Sequence, residues 1–75
     1  MTLSSKEVAW VEVRDASGQK LLSRQLAAGE RIDLQGRPPL NVVAGNAPSV
    51  SIQFNGRPVD LAAIIRQNVA RIELK

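Results

Sequence analysis

Apolar and polar residues alternate with a period of two along most of this chain, and no other feature constrains its fold as strongly. In "VAWVEVR", Ala9, Val11 and Val13 share one face, while Trp10 shares the other with charged side chains. Successive side chains of a strand point to opposite faces, so this segment is predicted to be a strand with one buried side. The same period recurs in "KLLSRQL", "RIDL", "LNVVA", "SVSIQFN" and "VARIEL". The pattern predicts an all-β protein.

Turn residues separate the predicted strands. They are Gly18 in "DASGQ", Gly29 in "AAGE", Gly45 and Asn46 in "NVVAGNAPS", and Asn55 with Gly56. The Asn55-Gly56 pair is the strongest hairpin signal, because both central residues of a type I′ turn need positive φ. "VAWVEVR" and "KLLSRQL", joined by "DASGQ", are likewise predicted to form a hairpin.

The Gly45-Asn46 pair has two interpretations, a plain turn or a cradle for a phosphate or sugar. It lies between two predicted strands, with no helix and no Lys-Ser or Lys-Thr after it. The helix-terminus mechanism of phosphate binding therefore has no support, and the plain turn is favoured.

Only "DLAAIIR" breaks the alternation. Leu61, Ile64 and Ile65 follow helical spacing, and Asp60 is a plausible N-cap, so we expect one or two helical turns that cover the sheet. Six or seven short strands with turns between them predict a small antiparallel β-sandwich or partly open barrel. We assign residues 8–75 to this single domain. The polar residues 1–7 are interpreted as a linker remnant or an artificial start of the chain.

Composition excludes several functions. The 75 residues allow one domain, and they contain neither cysteine nor histidine. Disulfides, thiol chemistry, the usual zinc sites and imidazole catalysis are thereby excluded, and no cofactor or metal is predicted. No segment is apolar for long enough to span a membrane, and "MTLSSKEVAW" is too polar for a signal peptide.

The net charge of +3 arises entirely in residues 37–75 and is scattered singly along them. This arrangement favours an ordinary solvated surface over a nucleic-acid footprint, although a weakly basic face toward an acidic partner stays possible. Trp10 and Phe54 are the only aromatic residues, which argues against base stacking. Binding to nucleic acid is not predicted.

No catalytic residue is predicted. Glu12, Asp33 and Glu73 are each at outward positions of predicted strands, where carboxylates are usually just solvated. A pair of them could in principle serve acid and base roles, but nothing marks such a pair out.

Trp10, Arg66 and Arg71 are the candidate partner-binding residues. Trp10 is predicted to anchor the second side of the core; the alternative is an exposed aromatic that stacks on a sugar or anchors a partner protein. Arg66, Asn68 and Arg71 flank the last strand and could donate hydrogen bonds to a carboxylate or another chain. The simpler expectation is that Arg71 pairs with a nearby glutamate and Asn68 caps the helical turn. Free strand edges offer a further binding mode.

The order of the motifs resembles the C-terminal domain of RodZ, a bacterial cell-shape protein. The segments that carry the resemblance, from Val8 to Leu74, are "AWVEVRDASG", "LAAGE", "GRPPL", "VVAGNA", "NGRPVDL" and "NVARIEL". Gly29, Gly45, Asn46, Asn55, Gly56 and Asp60 are the shared turn and cap positions. The family pattern supplies no catalytic or ligand residues to carry over, and "AAIIRQN" departs from it, because family members more often have Pro, Tyr and Gly there.

RodZ proteins join a cytoplasmic helix-turn-helix domain, which binds the actin-like MreB filament, to one transmembrane helix, a linker and this extracytoplasmic domain. The resemblance implies a non-enzymatic periplasmic module of an inner-membrane protein that works with the peptidoglycan elongation machinery. Its implied partners are envelope proteins of that machinery or peptidoglycan itself. Binding to MreB is not assigned to these residues. The alternative is a carbohydrate-binding module in which Trp10 stacks on a glycan and Asn46 or Arg71 donates hydrogen bonds.

Overall fold

The computed structural model describes residues 1–61 and 64–75. This part of the chain forms strands β1 (Thr2–Ser5), β2 (Ala9–Arg14), β3 (Lys20–Leu26), β4 (Arg31–Asp33), β5 (Leu40–Gly45), β6 (Val50–Phe54), β7 (Arg57–Val59) and β8 (Val69–Leu74), with a 3-10 helix at Ala47–Ser49. None of the described residues belongs to a helix long and apolar enough to cross a bilayer.

The strands form two four-stranded sheets, which we call sheet A (order β4-β1-β6-β7) and sheet B (order β3-β2-β5-β8). Every pairing within them is antiparallel. The predicted class, a small antiparallel β-sandwich, is confirmed, but the described residues form eight strands where six or seven were expected. The predicted β2–β3 hairpin also forms, with a register shift between Val13 and Arg14.

The core lies between the sheets and consists mainly of the inward residues of the alternating segments. Val11 and Val13 of β2 are fully buried, and Val42 of β5 is 1% exposed. Full burial of an aliphatic side chain of this size contributes roughly 1.5–3 kcal/mol. A short row of such residues on each sheet therefore holds the two layers together.

Strand β1 lies in the segment that we expected to be a linker. It pairs with β4 on one side and β6 on the other, and its Leu3 is completely buried. Ser5 is also buried, and its hydroxyl donates to the Glu7 carbonyl oxygen. The expectation of a linker at residues 1–7 therefore does not hold for Thr2–Ser5. A strand with only one large apolar residue has too short a pattern to be recognised by alternation.

The hairpin predicted at Asn55-Gly56 joins β6 to β7. Both residues have positive φ, 54° and 74°, as a type I′ turn requires. Gly18 (φ 85°) and Gly29 (φ 81°) also occupy the left-handed region. Glycine reaches this region without the clash that a Cβ would cause.

The helical turn predicted in "DLAAIIR" includes Ala62 and Ala63, which are outside the described residues. Beside them, the Ile64 N–H donates to the Leu61 carbonyl oxygen at 3.0 Å, and Leu61 is buried. The capping role predicted for Asp60 concerns the N–H groups of those two alanines, so this prediction also lies outside the described residues.

Candidate partner-binding face

The outer face of sheet B aligns Trp10 with Arg66 in one row across the strands. Trp10 is opposite Gly45, Gly45 is opposite Val69, and Val69 is opposite Arg66. Directly opposite residues of antiparallel strands project to the same face. The row Trp10–Gly45–Val69–Arg66 is thus presented on one side of the sheet, away from the core.

Trp10 projects from β2 to solvent and is 44% exposed. The favoured expectation, a tryptophan that anchors a second side of the core, is not met, because no layer covers this face among the described residues. Tryptophan combines a large apolar surface with one N–H donor, and such residues are enriched in protein interfaces. Trp10 is therefore the principal exposed apolar feature of sheet B.

Gly45 lies beside Trp10 as the last residue of β5, not in the turn where the sequence pattern predicted it. A Cβ at this position would be 3.7 Å from the Trp10 carbonyl oxygen and 3.8 Å from the Trp10 Cβ, both ordinary contacts. Because Gly45 has no side chain, the protein surface is recessed between Trp10 and Val69. A flat group could lie against the flank of the indole there.

A two-residue turn fixes the position of Arg66. Gln67 and Asn68 have φ of 51° and 69°, and the Arg66 N–H donates to the Val69 carbonyl oxygen at 2.8 Å. The Val69 N–H donates back to the Arg66 oxygen at 2.9 Å. This is the geometry of a type I′ hairpin, which sequence analysis missed because neither central residue is glycine. Asn68 belongs to this turn, whereas we had expected it to cap the helical turn.

Arg66 and Arg71 line a groove together with Ile64, Gln67 and Val69. The groove has a volume of about 560 Å³. Ile64 is 37% exposed, and Arg71 lies two residues beyond Val69 on the same face of β8. The lining of the groove therefore combines two arginines with the apolar side chains of Ile64 and Val69.

Neither guanidinium group has a carboxylate partner among the described residues. Arg71 is opposite Val43, which in turn is opposite Glu12. The Glu12 carboxylate pairs with Arg14 at 3.3 Å and with Lys20 at 3.6 Å. Glu73 pairs with Lys75 at 3.4 Å. The expected Arg71–glutamate pair is not found among the described residues, and the two arginines of the groove form no ion pair there.

Asn46 stabilises the turn at the end of β5. It has φ 57°, and its Nδ2 donates to the Val8 carbonyl oxygen at 2.9 Å. Its Oδ1 accepts a hydrogen bond from Asn68 Nδ2 at 3.4 Å, while the Ala47 N–H donates to the Asn68 carbonyl oxygen at 3.0 Å. Both ends of the Asn46 amide are engaged within the fold. These contacts favour the plain turn over a cradle for a phosphate or sugar.

The three outward carboxylates do not converge. Glu12 and Glu73 are in sheet B, two strands apart, whereas Asp33 is in sheet A and accepts a hydrogen bond from the Thr2 hydroxyl at 2.7 Å. Within residues 1–61 and 64–75, no group of three or more acidic side chains is arranged to hold a metal ion.

Comparison with known proteins gives one family. The family model of the RodZ C-terminal domain matches residues 2–73, which include every strand of both sheets almost to its last residue. No solved structure matches the chain with significance. The family is not known for enzymatic activity. A match over nearly the whole length shows the relationship: this chain belongs to the RodZ C-terminal domain family.

Proposed function

We propose that this domain is a non-enzymatic interaction module, located in the periplasm as part of an inner-membrane cell-shape protein. In this role it binds a protein of the peptidoglycan elongation machinery and so contributes to rod shape. Membership of the RodZ C-terminal domain family supports the connection with cell shape.

The outer face of sheet B is the proposed binding surface. The observation that carries this assignment is the row in which Trp10, Val69 and Arg66 project from one face, next to Arg71. Tryptophan and arginine are the residues that most often dominate binding energy in protein interfaces. Two guanidinium groups that have no carboxylate partner among the described residues suit a binding partner that supplies carboxylates beside an apolar side chain.

Shape complementation by the full-length parent protein tests the proposal. Trp10→Ala and the double variant Arg66→Glu with Arg71→Glu are expected to give round or widened cells at normal protein levels. Arg57→Glu is the matched control, because Arg57 is an exposed arginine of β7 in the other sheet and forms no ion pair within the described residues. Equal rod shape in all of these variants would overturn the assignment of this face.

A photo-crosslinking residue at Gln25 identifies the partner in the same cells. Gln25 is exposed and is opposite Trp10 in the neighbouring strand, so it borders the face without belonging to the three proposed contacts. A crosslink to an elongation protein that disappears in the Trp10→Ala background is the expected result. The same residue at Ser51, exposed on sheet A, is the control position.

Direct binding of the cell wall is the second candidate function. The exposed indole beside the recessed surface at Gly45 is the observation that favours it, because sugar rings stack on such aromatic faces. Titration of the ¹⁵N-labelled domain with soluble muropeptides distinguishes the two candidates. Shifts confined to the neighbourhood of Trp10 and Arg71 would support wall binding. Absence of shifts at millimolar concentration would leave the protein partner as the sole candidate.

A further inference from the structure

We propose that strand β8 also pairs with β8 of a second copy of this chain. The two strands would run antiparallel with Ile72 opposite Ile72 of the partner, and the two copies of sheet B would form one continuous eight-stranded sheet. The pairing uses the open edge of β8; Arg71 belongs both to this edge and to the proposed binding face, whereas Trp10 and Arg66 take no part in the pairing.

Every second residue of β8 directs its backbone N–H and C=O groups at the open edge of sheet B. Val69 exchanges both of its hydrogen bonds with Arg66, so its N–H and C=O point away from β5. In an antiparallel strand the direction of these groups reverses at each residue. Arg71 and Glu73 therefore also direct their backbone groups away from β5, and no backbone partner is found for them there in the described part of the chain.

The charges select one register for self-pairing. With Ile72 on the two-fold axis, Arg71 of each copy is opposite Glu73 of the other, and Ala70 is opposite Leu74. This register joins the residues with outward backbone groups, so each Arg71–Glu73 pair exchanges two main-chain hydrogen bonds and one opposite-charge side-chain contact. A shift by one residue in either strand removes the match of backbone groups. A shift by two places Arg71 opposite Arg71 or Glu73 opposite Glu73, which is repulsive.

The other sheet edges carry features that oppose such pairing. Strands β4 and β7 have three residues each, and β7 contains Pro58. Strand β3 is longer, but Arg24 is opposite the buried Val11 and so places a charge on the inward face at the edge, where it pairs with Glu30 at 2.8 Å. Short strands, prolines and inward charges are the usual protection of edges against pairing. Among the described edge strands, β8 alone is six residues long with none of these features, and Arg66 occupies its edge only at Val69, which leaves residues 70–74 for pairing.

Pairing also covers apolar surface that is partly exposed in one copy. Ile72 is on the inward face of β8, as are Ala70 and Leu74, but it is only partly buried at the open edge. Ile72 of the second copy would contact it across the two-fold axis. Because neighbouring antiparallel strands are related by an axis perpendicular to the sheet, both Trp10 side chains would project from the same side of the joined sheet.

Disulfide trapping tests the register directly. Ile72 and its counterpart would be a non-hydrogen-bonded pair with Cα atoms about 4.5 Å apart, a separation that a disulfide accepts. The chain has no cysteine, so Ile72→Cys introduces the only thiol. Under mild oxidation we expect this variant of the 75-residue chain to form a covalent dimer.

The control is Leu22→Cys, a half-buried inward position of the opposite edge strand β3. Equal dimer yields from the two variants would overturn the proposal.

A charge exchange provides a second test that leaves the inward face unchanged. Glu73→Arg places two arginine side chains opposite each other in both cross-strand pairs, and the dissociation constant measured by sedimentation equilibrium should rise by about tenfold or more. Arg71→Glu combined with Glu73→Arg restores opposite charges and should restore the wild-type constant. Arg57→Glu is expected to have no effect. If the wild-type chain is monomeric at millimolar concentration, or if the double variant is no better than Glu73→Arg, the pairing does not occur.

Discussion

Arg66 and Val69 exchange both of their backbone hydrogen bonds, at 2.8 and 2.9 Å, across a turn formed by Gln67 and Asn68. These two hydrogen bonds determine which side chains project together in the candidate site. They place the Arg66 side chain on the same face as Val69 and hence in the row that contains Trp10. They also show which backbone groups of β8 face the open edge. The turn therefore controls both the binding face and the proposed self-pairing.

Gln67 has an unfavourable backbone conformation in this turn. Glutamine at φ 51° suffers the Cβ clash of the left-handed region, and type I′ turns favour Asn or Gly there. Gln67→Gly is expected to raise the free energy of unfolding by roughly 0.5–1 kcal/mol, and Gln67→Val to lower it by about 1 kcal/mol or more. Urea denaturation of the three proteins checks this order. Equal stabilities would show that the turn does not have this conformation in solution.

Asn46 stabilises the fold in two ways, through its left-handed backbone conformation and through its side-chain hydrogen bond. Two substitutions separate these contributions. Asn46→Gly keeps the left-handed conformation and loses the hydrogen bond to the Val8 carbonyl oxygen, so it should cost about 1 kcal/mol. Asn46→Ala loses the same hydrogen bond and adds strain of about 1 kcal/mol or more. The alanine variant should therefore be the less stable by thermal or urea unfolding. The opposite order would mean that residue 46 does not have a left-handed conformation in solution.

Most of the fold could be predicted from the sequence because both sheets bury one face. The period of two identified Val11, Val42 and Ile52 as inward residues, and all three are at most 2% exposed. The Asn55-Gly56 turn was found because its residues need positive φ at both positions. Where local chemistry and alternation agree, the pattern determines the strand.

The candidate site was less accessible to sequence reasoning. Trp10 lies outward on β2, and alternation cannot say whether a second layer covers that face. The alignment of Trp10 with Arg66 depends on the order β2-β5-β8, which brings together residues far apart in the chain. The turn at Gln67-Asn68 lacked a glycine, and β1 had a single large apolar residue. These features are determined by tertiary pairing.

Leu3 tests the contribution of β1. It is fully buried, and truncation of a buried leucine costs about 2–5 kcal/mol, which is most of the stability of a domain this small. Leu3→Ala should therefore leave much of the protein unfolded at about 25 °C, as measured by circular dichroism. Ser4→Ala in the same strand, where the side chain is only partly buried, should change stability by less than about 0.5 kcal/mol. A stable Leu3→Ala variant would show that β1 contributes little to stability and would support the expectation of a linker at residues 1–7.

Two carboxylates are expected to make the fold sensitive to acid. The Ser17 hydroxyl, with the Gln19 and Ser17 N–H groups, lowers the pKa of Asp15 below its ordinary value of 3.8. The Ala27 N–H and then Arg24 lower the pKa of Glu30 below 4.5. A lowered pKa in the folded state means that the stabilisation is complete above the ordinary value and is lost as the pH falls through the lower, folded one.

Unfolding experiments between about pH 6 and pH 2 check this sign. Stability should decline from about pH 4 downwards, and Asp15→Asn should show a shallower decline, because it removes one of the groups whose protonation disrupts the native contacts. At about pH 6 the same variant should be less stable than the wild type, since the neutral amide oxygen is a weaker hydrogen-bond acceptor than the carboxylate. A decline of identical steepness in the two proteins would exclude Asp15 as a contributor.

Trp10 and Val11 are adjacent in sequence and lie on opposite faces of β2, which makes them a matched pair for locating the binding surface. Val11 is fully buried, whereas Trp10 is 44% exposed. Val11→Ala should lower the free energy of unfolding by about 1.5–3 kcal/mol, and Trp10→Ala by less than about 1 kcal/mol despite the larger side chain. Urea denaturation followed by circular dichroism measures both. As Trp10 is the only tryptophan, its fluorescence should also be readily quenched by acrylamide in the free domain and become protected when a partner binds. If Trp10→Ala proves the more destabilising change, the indole is packed in the fold, and the outer face of sheet B loses its main candidate contact.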